Sequence, residues 1–197
     1  MNAIIGILAL QGDFDQHRKV IAGLGHSAEL VRTSDELKRC AGLILPGGES
    51  TTMTKLLKKH SLWDDVKTFC LHKPVFGTCA GLILLSTRLE NESEHVLTLA
   101  ALDITVQRNA YGRQIDSFID KVSVDLHGKP EKLEGIFIRA PIILSCGLDV
   151  VARGWHEKQI VMVEKNNVLA TTFHPELGAD AIIHRYFLDK VISSVHP

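Results

Sequence analysis

The sequence carries no excess of charge of either sign, because 22 basic and 23 acidic side chains leave a net charge of −1. The two signs are interspersed, so nothing in the charge pattern calls for nucleic acid or an anionic membrane as a partner. A membrane-spanning or leader segment is not indicated either. The apolar start, residues 1–10, is too short to span a bilayer and has neither a basic stretch before it nor a small-residue cleavage site after it. We interpret it as a buried strand.

Paired cysteine spacing of the kind that binds metals is also missing. The four cysteines are Cys40, Cys70, Cys79 and Cys146, and free thiols in a reducing cytosol account for them most simply. We therefore expect a cytoplasmic protein, with no metal and no cofactor. Most of the histidines form no metal-ligand spacing and are expected to be structural or exposed: His17, His26, His60, His72, His95, His127, His156, His184 and His196.

No repeat, low-complexity stretch or linker composition interrupts the 197 residues, which predicts a single domain over residues 1–197. Through residue 90, apolar stretches such as residues 3–10, 28–31 and 42–45 alternate with segments of helical periodicity. This alternation is typical of βαβ units. It predicts an α/β fold with three layers, in which helices flank a mainly parallel sheet.

The pattern changes between residues 91 and 168, where strands are predicted with few helical intervals. The predicted strands are residues 95–106, 115–124, 135–139 and 160–163, with a turn at Gly112. We expect a mixed or antiparallel extension here, within the same domain. A last strand at residues 168–173 and a helix at residues 179–192 close the chain.

Cys79 lies between Gly77 and Gly81, after a short apolar strand and before an apolar helix. This Gly-x-Cys-x-Gly pattern parallels the Gly-x-Ser-x-Gly elbow, in which a nucleophile occupies a sharp strand-to-helix turn. At a helix N-terminus the dipole favours the thiolate, and the amide of Ala80 would be free to donate to an oxyanion. The plainer alternative is a small buried cysteine.

His174 and Glu176 are two residues apart at the end of the last predicted strand. Residues i and i+2 of a strand point to the same face, and Pro175 favours an extended residue before it. Glu176 could then accept from His174 Nδ1 and leave Nε2 free as a base. Taken alone, His-Pro-Glu is more simply explained as a surface turn, but together with Cys79 it supplies a nucleophile, a base and a group that orients the base.

Two glycines follow the predicted strand at residues 42–45. Gly47 and Gly48 could form a tight turn, or could let backbone amides approach a substrate. The stretch lacks the lysine of a phosphate-binding loop. Arg108 and Arg139, at predicted strand ends, could grip a carboxylate, although solvated arginines are more common. Because strands of a parallel sheet end at one edge, Gln11, the two glycines and Cys79 should share one rim.

Residues 76–81 (Phe-Gly-Thr-Cys-Ala-Gly) and 173–176 (Phe-His-Pro-Glu) resemble the class I glutamine amidotransferases, a family with a Cys-His-Glu triad. Within it, the chain is similar to the glutaminase subunits of pyridoxal 5'-phosphate synthases. This closer resemblance extends over nearly the whole chain. It rests on four stretches: residues 6–12, 45–53, 108–114 and 137–141.

The resemblance implies hydrolysis of L-glutamine to L-glutamate and ammonia, with Cys79 as nucleophile, His174 as base and Glu176 as its orienting carboxylate. It implies that six residues bind glutamine: Gly48, Glu49, Ser50, Arg108, Ile138 and Arg139. The Gly47–Gly48 peptide and the Ala80 amide would form the oxyanion hole, and Gln11 would lie at a partner interface.

The implied partner is a (β/α)8 synthase subunit, which uses the ammonia to make pyridoxal 5'-phosphate in a hetero-oligomeric complex. The resemblance also implies a glutaminase that is poorly active until this partner docks. Three alternatives stay open. They are a glutaminase that serves another synthase, a non-enzymatic regulatory module on the same fold, and a cysteine hydrolase or peptidase on a similar sheet.

Overall fold

Strands and helices alternate through the first half of the chain, as predicted. The computed structural model describes residues 3–90, 96–108 and 117–195. This half comprises β1 (Ile5–Leu8), α1 (Phe14–Gly23), β2 (Ala28–Val31), α2 (Ser34–Lys38), β3 (Gly42–Leu45), α3 (Ser50–Lys59), α4 (Trp63–His72), β4 (Val75–Thr78) and α5 (Ala80–Leu85). Thr33 caps α2 in a reciprocal capping box with Glu36.

The second half is mostly strands. It comprises β5 (Ser86–Glu90), β6 (Leu102–Gln107), β7 (Ser117–Leu126), β8 (Lys129–Ile138), β9 (Ile142–Cys146), β10 (Val151–His156), β11 (Gln159–Lys165), β12 (Val168–Thr171), a 3-10 helix (Pro175–Leu177) and α6 (Ile182–Val195). The strand predicted at residues 95–106 begins only at Leu102. Residue 95, the turn at Gly112 and residues 115–116 lie outside the described ranges.

The sequence did not predict β5, β9 or β10. β5 follows α5 without an intervening turn residue, so no punctuation marks its start. β10 carries irregular register around Gly154, and such a bulge breaks the alternation of apolar and polar residues that identifies a strand. β9 shows no strict alternation of buried and exposed residues either.

One sheet contains nine strands in the order β2-β1-β3-β4-β12-β11-β10-β7-β8. Neighbouring strands are parallel from β2 to β12 and antiparallel from β12 to β8. β5, β6 and β9 form a smaller, separate sheet. The predicted α/β architecture with an antiparallel extension is confirmed, and the sheet has four parallel and four antiparallel strand pairings.

Helices pack on both faces of the large sheet, which gives three layers. Along β3, Leu43 and Leu45 belong to one apolar cluster and Ile44 to another, because successive residues of a strand face opposite sides. The first cluster includes buried residues of α2, α3, α4 and α5, and the second includes residues of α1 and α6. Within the described ranges, no helix is long and apolar enough to cross a membrane.

The carboxyl ends of the parallel strands bring distant parts of the chain together. A Cβ atom at Gly12, which follows β1, would lie 1.8 Å from the carbonyl oxygen of Gly47, which follows β3. A Cβ atom at Gly47 would lie 2.2 Å from Cε1 of His174, which follows β12. His174 and Cys79, which follows β4, line the same cavity. The predicted common rim therefore exists, and the candidate site lies on it.

Candidate active site

Cys79 occupies a sharp turn between β4 and α5. Its φ is +47° and its ψ −99°, and it is the N-cap residue of α5. A positive φ is uncommon for a residue with a side chain and is found at functional turns. The flanking glycines serve close packing instead, since a Cβ atom at Gly81 would lie 2.1 Å from the carbonyl oxygen of Leu45. The geometry is that of a strand–turn–helix elbow.

The thiol of Cys79 lies beside another segment of the rim. Its Sγ is 3.8 Å from the carbonyl oxygen of Ile138, and its amide donates to the carbonyl of Thr171 at 2.9 Å. The other three cysteines lie elsewhere, and burial raises the pKa of Cys40 to about 11 and that of Cys70 to about 12. Burial also raises the pKa of Cys146. These three are therefore poor nucleophiles at neutral pH.

His174 and Glu176 are hydrogen-bonded, with 2.7 Å between Nδ1 and Oε1. The segment is not extended, contrary to the expectation from sequence, because the 3-10 helix begins at Pro175. Proline presets a helical φ and suits the first turn of a helix, while its restriction on the preceding residue acts on His174 alone. The short helical turn, and not a strand face, brings Glu176 back to His174.

The electrostatics favour a charged imidazole at His174 beside an ionised Glu176. Burial alone would lower the pKa of His174, but hydrogen bonds to Cys79 and Glu176 outweigh burial and raise this pKa to about 10. Burial likewise raises the pKa of Glu176, and the neighbouring His17 and His174 outweigh it and bring this pKa well below its usual range. Glu176 is therefore ionised at neutral pH.

A cavity of about 310 Å³ opens beside Cys79 and His174. All six residues that the resemblance assigns to glutamine line it: Gly48, Glu49, Ser50, Arg108, Ile138 and Arg139. Two further lining residues, Asp13 and Ile83, were not predicted from the sequence. Asp13 directly follows the Gln11–Gly12 pair on the rim, and Ile83 lies one helical turn after Cys79. Only these positions along the chain could have indicated that the two residues line the cavity.

The cavity carries charges of both signs. Arg108 and Arg139 provide two guanidinium groups, and Asp13 and Glu49 provide two carboxylates. Arg108 Nη2 donates to the hydroxyl of Thr51 at 3.3 Å. Arg139 has a φ of +42°, an unfavourable conformation for a residue with a side chain. Such a site suits a small zwitterion, because guanidinium groups bind a carboxylate and carboxylates bind an ammonium group.

The Gly47–Gly48 loop packs against the end of β1. Gln11 Oε1 accepts from the amide of Glu49 at 2.9 Å, and a Cβ atom at Gly48 would lie 2.6 Å from the same oxygen. Gly48 has a φ of +146°, a conformation that a residue with a side chain could adopt only at a considerable energetic cost. Gln11 is half-buried and props this loop. Gly47, Ala80 and Gln11 do not line the cavity. The predicted oxyanion-hole role of Gly47 and Ala80 therefore depends on their backbone amides. The predicted interface role of Gln11 depends on its position at the rim.

Two of the histidines expected to be structural or exposed lie directly behind Glu176. His17, from α1, and His184, from α6, are fully buried, and His17 Nδ1 is 2.9 Å from His184 Nε2. His17 Nε2 is 3.5 Å from Glu176 Oε1 and 3.3 Å from Thr78 Oγ1. Burial and His17 lower the pKa of His184 to about 3, although Glu176 acts in the opposite direction. No sequence pattern marks either histidine.

One set of metal-ligating atoms occurs among the described residues. Atoms of Asp13, His174 and Glu176 all lie within 4.8 Å of one another. A cation needs the lone pair of an imidazole nitrogen, whereas Nδ1 of His174 shares its hydrogen with Glu176. A metal would therefore compete with the hydrogen bond that orients His174.

Comparisons with known proteins agree on one family. The sequence profile of the SNO glutamine amidotransferase family matches residues 7–193. The chain is 44% identical over 189 residues to "Pyridoxal 5'-phosphate synthase subunit PdxT" of Fervidobacterium nodosum, covering 95% of this chain and 97% of the relative. The protein of the same name from a Nocardioides species is 45% identical over 193 residues, with 95% of each chain covered.

Solved structures give the same result. A structure described as "Crystal structure of glutamine amidotransferase" is 39% identical, has a TM-score of 0.88 and covers 95% of this chain and 98% of its own. A chain in the structure of PurLQS from Thermotoga maritima has a TM-score of 0.65 with 16% identity, covering 100% of this chain and 98% of its own. This second likeness shows the fold alone.

Proposed function

Because the chain belongs to the SNO glutamine amidotransferase family, we propose that it hydrolyses the side-chain amide of L-glutamine to L-glutamate and ammonia. The observation that carries this proposal is the position of Cys79 and His174 on the wall of a cavity with charges of both signs. A buried carboxylate, Glu176, holds the histidine from behind. A nucleophile, a base and an orienting group are what acyl transfer from an amide requires.

In the proposed reaction, the Cys79 thiolate attacks the amide carbon of glutamine. His174, which holds the thiol proton as an imidazolium, donates a proton to the departing nitrogen, so that ammonia leaves and a γ-glutamyl thioester remains. Water then attacks the thioester while His174 accepts its proton. Glutamate is released, and the proton returns to the Cys79–His174 pair. Glu176 stays ionised throughout and stabilises the imidazolium.

We assign the oxyanion hole to the Ala80 amide and the Gly47–Gly48 peptide. Ala80 is the first residue of α5, where amides have no intrahelical acceptor. The support for the glycine pair is its close approach to His174, since a Cβ atom at Gly47 would lie 2.2 Å from the imidazole ring. Two converging amides would stabilise the negative oxygen of the tetrahedral intermediate.

We assign the ends of glutamine to the charged groups of the cavity. Arg108 and Arg139 would hold the α-carboxylate, and the carboxylate of Glu49 would accept from the α-ammonium group. Gly48, Ser50 and Ile138 would complete the walls. The support is that all six residues line the same cavity as Cys79. Asp13 adds a second carboxylate to the same wall.

We further infer that the ammonia passes to the (β/α)8 synthase subunit of a pyridoxal 5'-phosphate synthase. The support is the name of relatives that are 44–45% identical along nearly all of this chain. Gln11, on the rim and hydrogen-bonded to Glu49, would lie at the interface, where docking could act on the oxyanion loop. The family resemblance favours a free subunit of low activity.

Compartment and domain organisation complete the proposal. We place the protein in the cytoplasm, because its four cysteines are free thiols and a reducing compartment keeps them so. We also infer that residues 1–197 form one glutamine amidotransferase domain. The support is that a single sheet joins strands from both halves of the chain.

The nucleophile is tested by Cys79→Ala, with Cys146→Ala as the matched control. Glutamate release is measured in the presence of the synthase subunit, together with thermal unfolding and binding to the synthase. We expect Cys79→Ala to abolish glutamate release while it keeps the fold and the complex, since only the attacking sulfur is lost. Cys146→Ala should keep its activity. Full activity of Cys79→Ala would rule out this mechanism.

A further inference from the structure

A line of buried polar side chains continues from the triad into the interior. Glu176 is followed by His17, from α1, and then by His184, from α6. All three are buried, and neither of these histidines lines the cavity. Buried polar groups cost stability unless they are paired, so a line of three behind a reactive site requires an explanation.

Glu176 has few partners for a buried carboxylate. Its Oε1 meets His174 Nδ1 at 2.7 Å and His17 Nε2 at 3.5 Å, while its Oε2 has no hydrogen-bond partner among the residues that the structure describes. His174 and His17 therefore compensate the negative charge of Glu176. Without His17, one hydrogen bond would hold the carboxylate.

The contacts of His17 bear on where its ring hydrogen lies. Nε2 of His17 lies 3.5 Å from Glu176 Oε1 and 3.3 Å from Thr78 Oγ1, and both oxygens can accept from a hydrogen on this nitrogen. In the neutral tautomer with this hydrogen, the other nitrogen, Nδ1, is free to accept from Nε2 of His184. His184 keeps Nδ1 as a bare acceptor, which agrees with its having no partner in the described part of the chain. In this tautomer the N–H groups of both histidines point along the line toward Glu176.

We propose that His17 is a positioning residue, which donates from Nε2 to Glu176 and thereby keeps this carboxylate ionised and aimed at His174, and that His184 holds His17 in the required tautomer. The effect of His17 on turnover rests on the proposed function. Its effect on the thiolate of Cys79 does not, because that effect is measurable without glutamine. The proposed function and the positioning role of His17 can therefore fail separately.

Several charged or titratable groups face Glu176, and each bears on the pH dependence. His174 lies on its own segment, His17 comes from α1, and His184 comes from α6. Asp13 approaches within 4.8 Å from the start of α1. Cys79 acts through His174. On the cavity side, His174 shares the walls with further charged residues: Glu49, Arg108 and Arg139. A substitution at His17 removes the Nε2 donor and leaves the other groups in place.

The test compares His17→Phe with His17→Gln. Phenylalanine keeps the ring without a donor, whereas the glutamine amide can place an N–H close to the position of Nε2. Alkylation of Cys79 by iodoacetamide is followed peptide by peptide against pH. In His17→Phe, Glu176 should take up a proton more readily, so the acid limb of the profile should move up by about one pH unit or more. His17→Gln should restore most of the profile.

Glutamine turnover, measured with the synthase subunit present, gives a second readout. We expect kcat of His17→Phe to fall by about 10- to 100-fold, the cost of a misplaced catalytic group, with KM nearly unchanged because His17 does not line the cavity. Val191→Ala, which shortens a buried apolar side chain of α6, serves as the control for lost stability. It should change neither the pH profile nor kcat.

Two results would overturn the proposal. One is an unchanged acid limb and kcat in a folded His17→Phe protein. The other comes from the unmodified protein, and therefore stands even if the variant does not fold: nitrogen-15 spectra of labelled histidine should show a protonated Nε2 in His17. A bare Nε2 would exclude the donated hydrogen bond. If glutamine is not hydrolysed while the alkylation profile shifts as expected, the proposed function fails and the positioning role stands.

Discussion

At the scale of single residues, His184 is buried as a neutral imidazole. Burial and the neighbouring His17 lower its pKa to about 3, while Glu176 opposes this shift. In the unfolded chain a histidine has a pKa of about 6.5. As pH falls below about 6.5, the unfolded chain therefore takes up a proton that the folded protein does not bind. The contribution of His184 to stability is present above this pH and is lost on acidification toward pH 3.

We predict that His184→Phe reduces the pH dependence of stability. The free energy of unfolding, from urea titrations between pH 7 and pH 5, should fall less steeply with acidification than in the unmodified protein. The difference in slope has an upper limit of about 1.4 kcal/mol per pH unit, the value for one proton. Val191→Ala should lower stability at every pH with the slope unchanged. Equal slopes for His184→Phe and the unmodified protein would contradict the assignment of a neutral His184.

Single residues also show where sequence reasoning ends. Cys79, His174 and Glu176 could be identified because each follows a strand signal and carries a recognisable side chain in a recognisable spacing. His17 and His184 could not, because α1 and α6 come from opposite ends of the chain and only the packed fold brings their histidines to 2.9 Å. The expected extended conformation at Pro175 was wrong for a local reason, the helical φ that proline favours.

At the scale of elements, the elbow depends on how closely α5 approaches β3 and β4. Gly81, in the first turn of α5, lies against the backbone of Leu45, and Gly77 lies against Gly81 itself. Backbone atoms cannot move aside as a flexible side chain can. The small residues therefore set the position of the helix N-terminus, and with it the position of Cys79.

We predict that Gly81→Ala is strongly destabilising, by about 2 kcal/mol or more, because the added Cβ atom would lie 2.1 Å from a carbonyl oxygen. Gly23→Ala is the matched control. Gly23 ends α1 with nothing within 4 Å of an added Cβ atom, so alanine there should be neutral or stabilising by up to about 1 kcal/mol. Thermal unfolding of both variants checks this. Equal stability of the two would mean that the close packing of α5 does not matter.

The elements themselves were predictable to different degrees. Strands β1 to β4 were visible as apolar stretches bounded by helical segments, and β2 lies at the predicted residues. β5, β9 and β10 were not visible, because they lack turn residues at their starts or alternation along their length. A strand that is defined by its neighbours in a sheet leaves a weak signal in its own sequence.

At the scale of the whole molecule, the cavity collects residues that are far apart in sequence. Asp13, Glu49, Arg108 and Arg139 come from four separate loops or strand ends and line one space. Composition and periodicity predict the rim on which such residues meet, since parallel strands end together. They do not predict which charges face inward, and here the family resemblance supplied six residues that do line the cavity.

The most direct measurement is glutamate release from glutamine by the purified chain, with the pyridoxal 5'-phosphate synthase subunit titrated in. We predict low activity of the free chain and strong stimulation that saturates at a fixed ratio of the two subunits. Activity that ignores the synthase subunit would remove this partner and favour a glutaminase serving another synthase. Absence of glutamate release at every ratio would contradict the central claim and leave a non-enzymatic module on the same fold.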